Sequence, residues 1–288
     1  MKNKLVSIGM PVFNGGKHIR DALDSLLAQT YRNFELIISD NSSTDETEQI
    51  CREYEEIDFR IRYIRQPENL GATENFQFVL ARAKGEYFMW AAHDDIWDPC
   101  WIETLLPVAV KGNCIAHGSL QTIDVDGEVM HHAACNQRFS FSGSRWHRRC
   151  KFFLSPGCLG KANLIYGVGA LGFFTEARIV WAKSSGPRGD IALLYALLGI
   201  TDIRQEKGVC RYVRVHSGSA GLIAERDTQG VGVFLKSHRL LMKALRAPGL
   251  SECMKSSGLL DAFTLAFLYP GSIIANTAYS LLFRIKRG

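Results

Sequence analysis

Over residues 4–122 short apolar runs alternate with segments whose apolar positions recur at helical spacing, and that alternation leaves few folds open. The run Leu5, Val6, Ser7, Ile8, Gly9, Met10 is strand-like; Ile19, Ala22, Leu23, Leu26 and Leu27 then mark one face of a helix. Further strands are expected over residues 34–39, 62–64 and 86–92, with helices through about residue 57 and over 73–83 between them. Asn41, Ser42, Ser43 and Thr44 supply N-cap candidates for the first of these helices. Such alternation predicts parallel strands covered by helices, an α/β fold. Ligands of these sheets lie beyond the carboxyl ends of the strands. Pro11, Val12, Phe13 and Asn14, then Asp40 and Asn41, then Asp94 and Asp95 all fall at such ends.

The pair Asp94-Asp95 closes the apolar run Tyr87, Phe88, Met89, Trp90, Ala91, Ala92. Two carboxylates at the tip of a buried strand are costly to hold unless a cation or an array of donors meets them, which points to a metal site. The competing reading is a strand-to-helix turn in which Asp98 or Asp95 caps the next helix ahead of Pro99. Asp40 and Asp45 alone would equally serve as a turn residue and a first-turn acid. Their joint position at successive strand ends favours a site.

Ordered motifs over roughly the first 110 residues resemble the family 2 glycosyltransferases of the GT-A fold. They are VSIGMPVFN at 6–14, LLAQTY at 26–31, FELIISDNSSTD at 34–45, ENLG at 68–71, AKGEY at 83–87 and His93-Asp94-Asp95. The resemblance implies an inverting transfer of sugar from a nucleotide-diphosphate sugar to a hydroxyl. Pro11, Val12, Phe13, Asn14 and Asp40 would hold base and ribose, Asp94 would face the ribose or metal-bound water, and Asp95 would bind Mg2+ or Mn2+ at the diphosphate. A divalent ion suits that place because bond cleavage leaves extra negative charge on the diphosphate. Asn41 departs from the two acids that many relatives carry after the second strand; it can still hydrogen-bond a base or ribose.

Transfer also needs a carboxylate that takes the acceptor's proton. Asp190, at an expected loop-to-helix junction with Leu193, Leu194, Leu197 and Leu198 behind it, matches the family's late base position; it could equally just cap that helix. Asp202 is a weaker candidate. The alternating segment 209–215 is strand-like and ends in His216, resembling a late strand of the family whose histidine joins the metal shell or touches the diphosphate. Arg211 and Arg214 on it could meet phosphates bidentately.

Other patterns carry less. Gly167, Gly169 and Gly172 match G-x-G-x-x-G but follow no clear strand, so close packing or the acceptor side explains them better than a dinucleotide. His131, His132 and Cys135, or His147 and Cys150, do not supply four zinc ligands at usual spacing. The eight cysteines show no C-x-x-C pair, and the N-terminus runs into too short an apolar stretch for a signal peptide; a reduced cytoplasmic chain is expected. A net charge of +5 with only short basic clusters, among them residues 145–151, fits an acidic ligand or a membrane surface better than nucleic acid.

The expected organisation is a GT-A domain over 1–220, divided at 122/123 into a nucleotide-sugar half and an acceptor half, and a helical region over 221–288. Within 231–287 a basic amphipathic stretch at 231–246 and a charge-free run of 22 residues at 262–283, broken by Pro270-Gly271, suggest peripheral contact at the inner face of the cell membrane. A helical hairpin on the catalytic domain or an oligomer contact competes with that. A polyprenyl-linked saccharide would then be the natural acceptor, in building surface polysaccharide or lipopolysaccharide. A catalytically weak subunit that binds the nucleotide sugar within a synthesis complex is the alternative function.

Overall fold

A computed structural model describes residues 3–132, 134–155, 160–182 and 189–216. The expectations for residues 221–288 lie outside these. The described chain forms two sheets with helices packed on them, and the α/β expectation holds.

The first sheet is built from β1 (Val6–Val12), β2 (Phe34–Asp40), β3 (Ile61–Arg65), β4 (Tyr87–Trp90) and β8 (Gly169–Ala170), in the order β3-β2-β1-β4-β8. β1 lies parallel to both β2 and β4, β2 lies parallel to β3, and only β8 runs antiparallel, against β4. Every residue of β1 is buried, as a central strand covered on both faces requires. The helices α1 (Ile19–Leu27), α2 (Thr47–Ile57) and α3 (Ala72–Arg82) connect these strands. Ile19, Ala22, Leu23 and Leu26 of α1 are buried, matching the expected face, and the isoleucine and two leucines each contribute about 1.5–3 kcal/mol relative to exposure. Gly9 permits the close approach of α3: a Cβ there would stand 2.7 Å from Val79 Cγ2.

Helix α2 begins later than its polar lead-in suggests. Glu46 is its N-cap and makes no side-chain cap bond. Residues 41–44 instead form a turn with Ser42 at φ 63°, because their polar groups serve neighbouring loops. Asp40 Oδ1 accepts from the Ser43 N–H at 2.8 Å, and Asn14 Oδ1 accepts from the Thr44 N–H at 2.8 Å.

After β4 come the two-residue strand β5 (Ile96–Trp97), α4 (Trp101–Gly112), β6 (Ile115–Ile123), β7 (Val129–Met130) and α5 (Arg145–Leu154). A 3-10 turn (Lys161–Tyr166) precedes β8; α6 (Leu171–Ala182), α7 (Gly189–Ile200) and β9 (Ile203–Arg214) complete the described part. The second sheet has the order β5-β9-β6-β7, with β6 and β9 parallel and a register shift between His117 and Ser119. β9 starts six residues before the segment expected from alternation. Its end pairs with β5, Ile96 opposite Tyr212 and Trp97 opposite Arg211, so the last residues of β9 are brought beside Asp94-Asp95.

The three glycines of the G-x-G-x-x-G pattern sit in three different settings: after the 3-10 turn, in β8 and in α6. A Cβ at Gly167 would lie 2.8 Å from the Ala116 carbonyl oxygen, and one at Gly169 would lie 2.8 Å from Ile115 Cγ1. They serve close packing on β6.

Candidate functional site

The carboxyl ends of β1, β2 and β4 open on one edge of the first sheet, and β9 delivers a fourth chain end to it. Their side chains behave differently.

At the end of β2, Asp40 has no exposed surface. Besides the Ser43 N–H, its carboxylate accepts from Tyr63 Oη at 2.6 Å and pairs with Arg65 Nη1 at 3.0 Å. Burial, and then the bond to Asp40, push the Tyr63 phenol well above its ordinary range. Its oxygens are thus engaged within the fold, where it holds the turn and β3 together. Asn41, also buried, donates to Asn69 Oδ1 at 2.8 Å and accepts from the Leu70 N–H at 2.8 Å, so it secures the 69–71 loop. Pro11 and Val12 are buried within the strand, whereas Phe13 is 45% exposed and Asn14 is exposed. Phe13 and Leu70 (37% exposed) are the large apolar groups that this end of the sheet presents to solvent, with Asn14 beside Phe13.

At the end of β4, the two aspartates part company. Asp94 is half-buried, and its Oδ2 meets His216 Nε2 at 3.0 Å. Asp95 turns inward and is 3% exposed; Oδ1 accepts from the Arg214 N–H at 3.1 Å, and Oδ2 lies 3.6 Å from Arg211 Nη1. That second contact is beyond hydrogen-bond reach. Burial pushes the Asp95 carboxyl up to about 7, with Arg211 opposing the shift and Asp94 adding to it. Asp95 thus sits behind Asp94, with Oδ1 held by the Arg214 N–H and Oδ2 without a donor in hydrogen-bond reach, while Asp94 and His216 stand nearer the crevice.

Arg214 is likewise turned inward. Its guanidinium donates to the Asp94 carbonyl at 3.0 Å and the Val125 carbonyl at 3.0 Å, and pairs with Asp21 at 2.8 Å. It braces β4, α1 and the turn after β6. Arg211 lies over the Tyr166 ring at 4.1 Å, and its Nη2 donates to Asn163 Oδ1.

Asp190 stands in the first turn of α7, where Leu193, Leu194, Leu197 and Leu198 are fully buried as expected. Its Oδ1 accepts from the Ile191 N–H at 2.8 Å. The Tyr166 phenol is pushed far up by burial, with Arg211 opposing and Asp95, Asp94 and Asp190 each adding. Arg211, which lies over the Tyr166 ring, is thus the cation that faces this phenol. Asp202 is tied to Arg148 and Arg204 at 2.9 Å each; burial works against its charge, yet the arginines hold its carboxyl below the usual range. A carboxylate so paired makes a poor base.

Several contributing residues were not singled out from sequence. Buried Gln29 donates to the Asp98 carbonyl at 2.7 Å and accepts from the Ile102 N–H at 3.0 Å, bracing the segment after Asp94-Asp95. Asn75 donates to the Ser39 carbonyl at 2.9 Å and the Val12 carbonyl at 3.4 Å, joining the ends of β1 and β2. The His18 ring stands 5.5 Å from that of His216. His18 and His93 are both lowered, foremost by burial, which favours neutral imidazoles. Gln29 lies in the LLAQTY motif and His93 in His93-Asp94-Asp95; nothing in the pattern around Asn75 and His18 marks a role.

A carboxylate oxygen suits Mg2+ or Mn2+, and an imidazole nitrogen beside it favours a transition-metal ion such as Mn2+ over Mg2+. Among the described residues no group of three His, Cys, Asp or Glu comes together, so Asp94 and His216 fit as a partial shell that ligand oxygens would complete. No helix among the described residues is long and apolar enough to cross a membrane.

The profile of the family described as "Glycosyl transferase family 2" matches residues 7–174. An uncharacterized glycosyltransferase of Rickettsia bellii is 38% identical over 133 residues, which are 44% of this chain and 19% of that protein. A putative teichuronic acid biosynthesis glycosyltransferase, TuaG of Bacillus subtilis, is 36% identical over 110 residues, 38% of this chain and 44% of that protein. In both, the matched stretch is less than half of the relative's own length. Among solved structures, S. aureus TarS 1-349 in complex with UDP-GlcNAc superposes with a TM-score of 0.56 at 16% identity, over 84% of this chain and 67% of that one.

Proposed function

The chain belongs to glycosyl transferase family 2, and from that premise we propose that it moves a sugar, with inversion, from a nucleotide-diphosphate sugar to a hydroxyl of a saccharide or lipid-linked saccharide in cell-surface polysaccharide synthesis. The observation that carries this reading is the meeting of Asp94 Oδ2 and His216 Nε2 at 3.0 Å on the carboxyl edge of the sheet; Asp190 stands in the first turn of α7. The nucleotide lies over Phe13 and Asn14. Asp94 and His216 hold the diphosphate end, where a bound Mg2+ or Mn2+ would supply positive charge to the leaving group. The acceptor oxygen attacks the anomeric carbon, a new carbon–oxygen bond forms as the sugar–phosphate bond breaks, and the diphosphate leaves with the electron pair. Asp190 takes the hydroxyl proton.

The nucleotide reading is supported by the UDP-GlcNAc complex of TarS, and the surface-polymer reading by the name of TuaG. A saccharide acceptor carried on a lipid places the work at the inner face of the cell membrane, with 221–288 as an appendage to the transferase domain at 1–220. The test is nucleotide release from UDP-, dTDP- and GDP-sugars with Mn2+ and membrane extract as acceptor. One donor class should be consumed, and Asp190→Asn should lower turnover by about 100-fold or more while the donor still binds. Unchanged turnover would remove Asp190 as base; donor binding without turnover in the native chain would make it a binding subunit instead.

A further inference from the structure

Between residues 129 and 175 the chain contains no aspartate or glutamate, yet it carries Arg138, Arg145, Arg148, Arg149, Lys151 and Lys161. The structure divides these cations into two sets. Three are consumed inside the fold. Arg148 pairs with Asp202 at 2.9 Å, Arg149 lies 4.1 Å over the Tyr195 ring, and Lys161 donates to the Phe152 carbonyl at 2.8 Å. Arg138, Arg145 and Lys151 are exposed, the last two on α5.

Helix α5 buries Phe152 completely, with its ring 5.6 Å from that of Phe141, and Arg149 and Cys150 beside it. The opposite stripe is His147, Lys151 and Leu154, at i, i+4 and i+7; Arg145 and Trp146 stand over the buried side, seven and four residues before Phe152 and Cys150, and are exposed because they lie at the open N-terminal end of the helix. Trp146 is 45% and Leu154 50% exposed. Lys151 Nζ donates to the Ser140 carbonyl at 2.8 Å, which lays the segment bearing Arg138 along the same helix. Asp202, the acid that Arg148 reaches, is also paired with Arg204, so it leaves no net negative charge on this side.

A face that serves only to dissolve a protein mixes both signs of charge and hides its tryptophan. This one joins single-sign charge to an indole and a leucine at the surface. That combination is complementary to a layer with anionic headgroups above and hydrocarbon below, where cations meet phosphate and an aromatic ring lodges at the boundary. We propose that the exposed face and open N-terminal end of α5, with Arg138, Arg145, Trp146, Lys151 and Leu154, dock the protein on an anionic phospholipid surface. α5 packs on α7, whose first turn holds Asp190, so docking there brings the proposed base within one helix of the membrane. The inference stands on this surface alone and does not depend on the donor reading.

The test uses the full chain and vesicles of phosphatidylcholine with or without phosphatidylglycerol. Flotation should require phosphatidylglycerol and weaken with salt. Arg145→Gln/Lys151→Gln should lower partitioning about 25-fold, roughly five-fold for each cation removed. Bromine on the acyl chains should quench the fluorescence of the native chain, and Trp146→Phe should remove most of that quenching, which places the contact on α5 whatever other segments do. Equal flotation of native and double-variant chains, or equal quenching in Trp146→Phe, would overturn the proposal. So would flotation indifferent to phosphatidylglycerol. Nucleotide release measured without vesicles should be the same in both variants, which separates failure of docking from failure of the transferase reading.

Discussion

Two carboxylates occupy matching places at the carboxyl edge of the first sheet, Asp40 at the end of β2 and Asp95 just past β4, and both are buried. Asp40 is met by a backbone N–H, a tyrosine hydroxyl and a guanidinium, all within hydrogen-bond distance. Asp95 has one backbone N–H and a guanidinium at 3.6 Å, and burial drives its carboxyl up to about 7. The difference is one of compensation. A buried charge is inexpensive where donors close around it and costly where they do not. At the second place that cost accompanies a neighbour, Asp94, which is free to face the crevice because Asp95 and Arg214 hold the backbone from behind.

The largest effect that would sharpen this contrast is on turnover. Asp94→Asn is expected to lower transferase activity at least about 100-fold, the scale of losing one charge-stabilising group, with an unchanged urea midpoint. A shifted midpoint with activity intact would erase the distinction between the two ends.

Next comes stability at β2. Asp40→Ala should cost about 3 kcal/mol in urea unfolding, because the Ser43 N–H and the Tyr63 hydroxyl lose their acceptor in a buried place. Tyr63→Phe should cost about 1 kcal/mol, removing a single bond to the same carboxylate.

Asp95→Asn should be the mildest, within about 1 kcal/mol of the native chain at pH 8, since an amide can still accept from Arg214 N–H without the charge. Its signature is in pH. Asp95 is raised to about 7 when folded from the ordinary 3.8 of an exposed carboxyl, so between these values the folded state binds the extra proton. Stability therefore falls as pH rises through that window, and the loss is complete above about 7. The native chain should show this slope in urea midpoints from pH 4 to 8, and Asp95→Asn should lack it.

How much of this was legible in the sequence follows the same division. β1 to β4 are apolar runs of four to seven residues separated by amphipathic helices, so hydrophobic period alone locates them and the edge they share. The second sheet is less visible: β5 and β7 have two residues each, too short for any period, and β9 pairs across most of the chain's described length. Adjacent Asp94 and Asp95 could be recognised as a pair, but which faces outward depends on β5 pairing with β9. Asp40 sat at the right strand end, and what turned it inward were Tyr63 and Arg65 on the neighbouring strand, a tertiary match no local pattern records. Tyr166, whose ring lies under Arg211, comes from a 3-10 turn with no sequence signal of its own.

The central claim is that the outward Asp94, with His216, serves the diphosphate while Asp95 braces it. Titration of Mn2+ into the full chain with UDP, followed by the loss of the free-ion electron paramagnetic resonance signal, compares the two aspartates directly. Binding should vanish in Asp94→Asn, weaken in His216→Ala and persist in Asp95→Asn; persistence in Asp94→Asn with loss in Asp95→Asn would contradict the account.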